Sequence, residues 1–183
     1  AFLSELDGKQ TDMVNQTFFP FYAYGTYHIN EKISAGISIN TPFGLGTKWS
    51  DDWEGRYISQ EAKLKTIYFQ PALSYKFTDK FALGAGVVFT TGKAELKKAV
   101  PVQSSSSSYG IGILEGSANG FGFSLGAFIS PNEKTSLGVS YRSGVNLKVD
   151  DGDASFENIP SSASEIFPSS TNFTTTLKMP SVI

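Results

Sequence analysis

Cysteine is absent from the 183 residues, which excludes disulfides, thiolate nucleophiles and cysteine-based zinc sites. Histidine occurs once, as His28, so multi-histidine metal centres are excluded too. No run of about 18 apolar residues occurs, and no transmembrane helix is expected. Charge of one sign is also missing: 15 Lys+Arg stand against 17 Asp+Glu, a formal −2. Nucleic-acid binders usually leave a basic footprint, so nucleic acid is not an expected partner. Charged residues are scarce at 17%, against roughly 25% in a typical soluble domain. In their place stand 14% aromatics, with 15 Phe and 8 Tyr, and 18 Gly. Outer-membrane β-barrels are one class with this composition.

A short unit recurs three times: Asn30-Glu31-Lys32-Ile33-Ser34-Ala35-Gly36, Thr78-Asp79-Lys80-Phe81-Ala82-Leu83-Gly84 and Asn132-Glu133-Lys134-Thr135-Ser136-Leu137-Gly138. Its polar opening suits a tight turn between strands. After each turn, large apolar residues alternate with small or polar ones. Ile33, Ala35, Ile37 and Ile39 alternate with Ser34, Gly36, Ser38 and Asn40; Leu137, Val139 and Tyr141 alternate with Ser136, Gly138, Ser140 and Arg142. Period two is the signature of a strand, not a helix.

Strands are expected near 18–29, 33–42, 60–77, 81–97, 120–130 and 135–149, with a seventh beginning near 171. Tight turns at 29–33, 77–81 and 130–135 then alternate with long loops at 43–59, 98–119 and 150–170. In outer-membrane barrels the short turns face the periplasm and the long loops face outside. A soluble β-sandwich also alternates, with its apolar face in the core. The strand lengths favour the membrane, because a tilted spanning strand needs about 9–11 residues. So does a second face built of Ser, Gly and Ala. The fold class expected is therefore all-β, an antiparallel transmembrane barrel of the outer-membrane type. Six or seven strands are too few to close it, and open edges are not tolerated in lipid. Residues 1–183 are expected to form part of a larger barrel.

Several phrases then resemble one family. They include Asn40-Thr41-Pro42-Phe43-Gly44-Leu45-Gly46-Thr47, Asp51-Asp52-Trp53-Glu54-Gly55-Arg56-Tyr57, Gln70-Pro71-Ala72-Leu73-Ser74-Tyr75-Lys76, Gly120-Phe121-Gly122-Phe123-Ser124-Leu125-Gly126 and Leu137-Gly138-Val139-Ser140-Tyr141-Arg142-Ser143. In this order they resemble the FadL/TodX family of outer-membrane transporters for long-chain fatty acids and hydrocarbons. The resemblance implies a fourteen-stranded barrel plugged by an N-terminal hatch, of which the hatch and the second half are missing here. It implies diffusive uptake in the outer membrane of a Gram-negative bacterium, without a cofactor or catalysis. The partners would be a long-chain fatty acid or other hydrophobic small molecule and the surrounding lipid (or detergent), with a monomeric barrel when complete. A barrel serving as a scaffold or protein shuttle and a soluble β-sandwich binding module are the alternatives.

A hydrophobic acid needs an apolar path and a cation at one end. By parity Arg142 shares the face of Ser136, Gly138 and Ser140 and is the first candidate for the carboxylate; Lys76 and Lys148 follow, Lys148 on the parity of Arg142. Val88 and Phe128 are the apolar candidates on the lumen face. Family members have a strand whose kink opens the wall sideways, and the matching residues are Pro42, Phe43, Gly44 and Gly46. An external hydrophobic landing groove is matched by Ile111, Ile113, Leu114 and Phe167. The serine run 104–108 reads as a flexible linker. The acidic cluster Asp51-Asp52-Trp53-Glu54 reads as a solvated loop or a partner of Arg56, not a metal site. His28 lies beside a turn without a nucleophile motif, so no catalytic residue is assigned.

Overall fold

Alternation is useful only if the two faces of a strand meet different surroundings, so the register of neighbouring strands must keep like faces together. The computed structural model describes residues 2–3, 8, 10–103 and 108–183. Its strands are β1 (Phe2–Leu3), β2 (Gln10–Thr11), β3 (Tyr22–His28), β4 (Ile33–Asn40), β5 (Gly44–Lys48), β6 (Glu61–Thr78), β7 (Phe81–Val100), β8 (Gly110–Asn132), β9 (Thr135–Arg142), β10 (Val145–Glu157) and β11 (Ser170–Met179). Short 3-10 turns lie at Glu54–Tyr57 and Ser161–Ala163. β1 pairs with β2; the other strands form one antiparallel sheet in the order β11-β10-β8-β7-β6-β4-β3, with β5 on β6 and β9 on β8. Because β4 and β5 share β6 as partner, and β9 and β10 share β8, each couple is one interrupted strand. The chain thus passes along the sheet seven times. Among the described residues the end strands β3 and β11 do not pair with each other, and the sheet stays open.

The recurring unit has a local cause. Asn30 Oδ1 accepts the backbone N–H groups of Lys32 and Ile33 at 2.9 and 2.8 Å. Asn132 Oδ1 accepts that of Lys134 at 3.0 Å, and Thr78 Oγ1 that of Lys80 at 3.2 Å. A short side-chain acceptor closing the turn onto the backbone two residues ahead is what Asn and Thr supply.

The register sorts the faces. Phe69, Phe89 and Phe121 lie side by side on β6, β7 and β8, with ring centroids 6.3 and 5.2 Å apart. On the same outer face Leu73, Val87, Leu125 and Val139 are all more than half exposed. On the other, inner face Tyr68, Val88, Ala118, Val145, Leu147 and Val149 form a buried cluster, joined by Phe43, Phe173, Leu177 and Met179. Glycines let this inner layer close. A Cβ on Gly92 would come within 2.8 Å of Leu147 Cδ1, and one on Gly120 within 2.8 Å of the Asn146 carbonyl oxygen.

Two expectations are corrected. The loops are shorter than expected: β7 reaches Val100 and β8 starts at Gly110, so Ile111, Ile113 and Leu114 are strand residues. The strands outrun the roughly 9–11 residues a bilayer needs, with 18, 20 and 23 residues in β6, β7 and β8. Over residues 110–119 the two faces are alike, Ile111, Ile113, Glu115, Ser117 and Asn119 against Gly112, Leu114, Gly116 and Ala118, so the apolar–polar alternation that reveals a strand disappears there. Lys148 is the second correction. Ser143 and Gly144 interrupt the strand between β9 and β10, and the parity shifts across them. Lys148 therefore pairs with Asn119 on the outer face, not on the face of Arg142. Of the serine run, residues 104–107 lie outside the described residues.

Candidate functional site

The inner face gathers polar groups around Tyr68. Asn40 ends β4 directly opposite Tyr68, and Thr90 faces it from β7. Arg142 reaches over from β9, with its guanidinium carbon 5.1 Å from the Tyr68 ring centroid. Such a cation over an aromatic face is attracted by the ring quadrupole. Tyr68 is 1% exposed and Asn40 6%. Arg142 Nε and Asn40 Oδ1 are buried without a hydrogen-bond partner. A buried donor and acceptor left unmade cost about 1–3 kcal/mol each, so the inner wall around Tyr68 carries unused hydrogen-bonding groups. Phe43 lines it on the apolar side, its ring 6.0 Å from that of Tyr68.

Phe43 stands where the wall is interrupted. Thr41, Pro42 and Phe43 separate β4 from β5. Proline cannot donate to the ladder, and the gap is bridged by Thr66, whose N–H and Oγ1 both donate to the Phe43 carbonyl oxygen at 3.2 and 2.6 Å. Gly44 sits opposite Lys65 with only the Leu64 carbonyl near its missing side chain. Gly46 differs, because a Cβ there would run into the Phe18 ring. It seats the segment that precedes β3, and Val14 N–H donates to the Lys48 carbonyl at 2.8 Å beside it.

The remaining inner candidates are dispersed. Val88 is fully buried within the inner cluster. Phe128 lies far along β8, opposite Ala82 and Gly138, and is 46% exposed. Lys76 pairs with Asp79 at 3.1 Å beside a tight turn, and Lys148 with Asp150 at 2.6 Å on the outer face. His28 Nδ1 is 2.8 Å from Ser34 Oγ.

A hollow lies at the end of the sheet that carries the long loops. It has a volume of about 680 Å³ and is lined by Tyr57, Leu96, Lys98, Val100, Ile113, Leu114, Phe156 and Phe167, among others. Phe156 and Phe167 meet with their rings 5.3 Å apart. Ile113, Leu114 and Phe167 are thus brought together, whereas Ile111 does not line the hollow although its register partner Ala99 does. Leu96, Lys98, Val100 and Phe156 escaped the sequence reading. The even parity of Val88 and Thr90, carried past the belt along β7, was the signal that could have found the first three.

Loop 49–60 closes this end. Trp49 and Trp53 stack at 4.3 Å, and Trp53 Nε1 donates to the Ser59 carbonyl at 2.9 Å. Arg56 donates to the Asp52 and Trp53 carbonyls at 3.2 and 3.1 Å. Asp51 pairs with Lys97 at 3.7 Å and its carbonyl accepts Tyr109 Oη. Below the loop, Glu61 takes Lys63 and, at 3.4 Å, Lys48; Lys63 also reaches Glu95 at 3.6 Å. The hydrogen bond from Lys63 holds the Glu61 carboxyl below the usual range, with burial opposing and the charges of Lys63 and Lys48 assisting.

The comparisons with known proteins agree with this architecture. The crystal structure of a Pseudomonas aeruginosa FadL homologue superposes with a TM-score of 0.75 at 21% identity, over 87% of this chain and 42% of that one. The Ralstonia pickettii toluene transporter TbuX gives 0.62 at 16% identity, over 87% and 48%. The 47 kDa outer membrane protein of Pasteurella multocida (strain Pm70) is 29% identical over 141 residues, and outer membrane protein P1 of Haemophilus influenzae 23% over 169. The matches take in 68% and 76% of this chain. The chain spans about a third of the length of these two relatives, 32% and 36%. The family model for the outer membrane protein transport proteins (OMPP1/FadL/TodX) matches residues 2–182. The chain belongs to this family of outer-membrane transport proteins, and its open antiparallel sheet is wall of their barrel.

Proposed function

We propose that the protein carries long-chain fatty acids or similar hydrophobic molecules across the outer membrane by diffusion. The chain is read as part of a larger barrel that works as a monomer. The hydrophobic molecule is first taken up in the external hollow at Leu96, Val100, Leu114, Phe156 and Phe167. Burial of an alkyl chain there is favourable by about 0.8 kcal/mol for each CH₂ removed from water. Lys98, on the rim of the same hollow, offers a cation to an acid headgroup. Deeper on the inner face, the carboxylate meets Arg142. The single observation that carries this reading is the buried Arg142 Nε–H without a hydrogen-bond partner, on a guanidinium held over the Tyr68 ring. A carboxylate would accept from it, and charge-assisted hydrogen bonds are about twice as strong as neutral ones. The apolar tail would lie against Phe43 and leave sideways at the Pro42–Phe43 interruption.

A neutral hydrocarbon is the second reading, favoured by the apolar lining of the external hollow. The test is uptake of labelled oleate and labelled toluene by cells making the full-length protein, against cells with an empty vector. Saturable oleate uptake above the control supports the acid. Toluene uptake alone moves the reading to hydrocarbons, and neither, with the barrel folded in the outer membrane, removes both.

A further inference from the structure

On the outer face, beyond the aromatic row Phe69–Phe89–Phe121, only the pair Ile67–Thr91 intervenes before the surface becomes cationic. There Lys65 on β6 and Lys93 on β7 are direct register partners, and both are exposed. Like charges directly opposite on one sheet face repel and destabilise the pairing. One step further out the same two strands oppose Lys63 and Glu95, an ordinary ion pair at 3.6 Å. At Lys65 and Lys93 the compensation is only partial. Among the described residues Lys65 makes no ion pair, and Lys93 pairs with Glu115 at 3.8 Å, with side chains 65% and 46% exposed. The flanks leave room: Lys65 faces Gly44 on β5, and Lys93 faces Ser117 on β8.

We propose that Lys65 and Lys93 together bind the phosphate of an anionic lipid headgroup in the outer leaflet. A phosphate carries the charge and the acceptor oxygens to bridge two ammonium groups that otherwise repel. The place selects a lipid as its source. The pair stands just outside the apolar belt, on the side of the long loops, at the depth where headgroups meet the protein, and cationic side chains are anchors there. The proposal concerns the lipid-facing side of the wall and does not depend on which molecule the barrel transports.

The test uses the full-length protein in bilayer nanodiscs containing diphosphorylated lipid A, with bound lipid counted by native mass spectrometry. The double substitution Lys65→Gln, Lys93→Gln is expected to lower lipid retention about thirtyfold, on the order expected for two cations near an anionic surface. The Lys65→Arg, Lys93→Arg protein should retain lipid, and so should Lys32→Gln at a tight turn on the opposite rim. The wild type should hold dephosphorylated lipid A as poorly as the double variant does. Folding of each variant is checked by its heat-modifiable gel migration, and each single Gln variant should show part of the loss. Equal retention by the folded Gln variants and the wild type overturns the proposal. Displacement of the lipid by millimolar inorganic phosphate would also overturn it, by making the site one for the free ion.

Discussion

Arg142 lies over the ring of Tyr68, 5.1 Å from its centroid, although β9 and β6 are not neighbours in the sheet. The contact crosses the inner face above β7 and β8, so curvature of the wall, not strand pairing, brings the two together. It places a permanent cation beside the interruption at Pro42–Phe43, where the inner wall is apolar on one side and has unused hydrogen-bonding groups on the other.

The external hollow should discriminate by charge through Lys98. In the full-length protein, Lys98→Gln is expected to raise the half-saturation for oleate uptake several-fold and leave that of a neutral hydrocarbon unchanged. Equal shifts for both would assign Lys98 to packing alone.

The two glycines after Phe43 should part company. Gly44→Val has space beside the Leu64 carbonyl and is expected to slow uptake while surface binding persists. Gly46→Val collides with Phe18 and should instead expose residues 12–18 to protease. Phe18→Ala in the Gly46→Val background should restore protection; continued cleavage of the double variant would contradict the seat described for Phe18.

The Glu61 network gives a pH dependence with a definite sign. Its carboxyl is held low chiefly by the Lys63 hydrogen bond, so the folded group titrates below the unfolded one. The stabilisation is present above the ordinary carboxylate range and is lost as pH falls through the lowered value. Corrected for intrinsic rates, backbone hydrogen exchange across the Lys48–Glu61 pairing should accelerate under acid. In Glu61→Gln that acceleration should be reduced.

The small residues under the inner cluster are required by volume. Gly120→Val must displace Val145 and the Asn146 carbonyl and should cost about 1–3 kcal/mol, as overpacking does. Gly138→Ala, with nothing within 4 Å of the new Cβ, should stay within about 0.5 kcal/mol. Urea midpoints in detergent micelles measure both.

The architecture was legible where the two faces meet different media. Ile33, Ala35 and Ile37, or Leu137, Val139 and Tyr141, alternate because lipid lies on one side only, and the Asn30, Thr78 and Asn132 turns carry their own acceptor. Legibility failed above the belt. Lys63, Lys65, Lys93 and Glu95 still fall within the expected strands 60–77 and 81–97, but from Gly110 to Asn119 small, apolar and polar residues mix on both faces, Ile111, Ile113, Glu115 and Ser117 against Gly112, Leu114, Gly116 and Ala118, so the alternation vanishes and the outer ends of β7 and β8 read as loop. Lys148 failed for a different reason. Parity counting assumes an uninterrupted strand, and the shift at Ser143–Gly144 depends on Ser143, whose N–H donates to the Phe123 carbonyl and whose Oγ accepts the Phe123 N–H, both at 2.9 Å. Arg142, on the near side of that shift, was placed on the correct face. Its approach to Tyr68 depends on sheet curvature, which a single strand does not encode.

The most direct test compares binding of oleate and oleyl alcohol to the full-length protein and to its Arg142→Ala variant, by calorimetry in detergent. The account predicts that the variant loses about tenfold in affinity for the acid, as expected when a charge-assisted hydrogen bond is removed, and little for the alcohol. Equal losses for both ligands, or none for the acid, would contradict it.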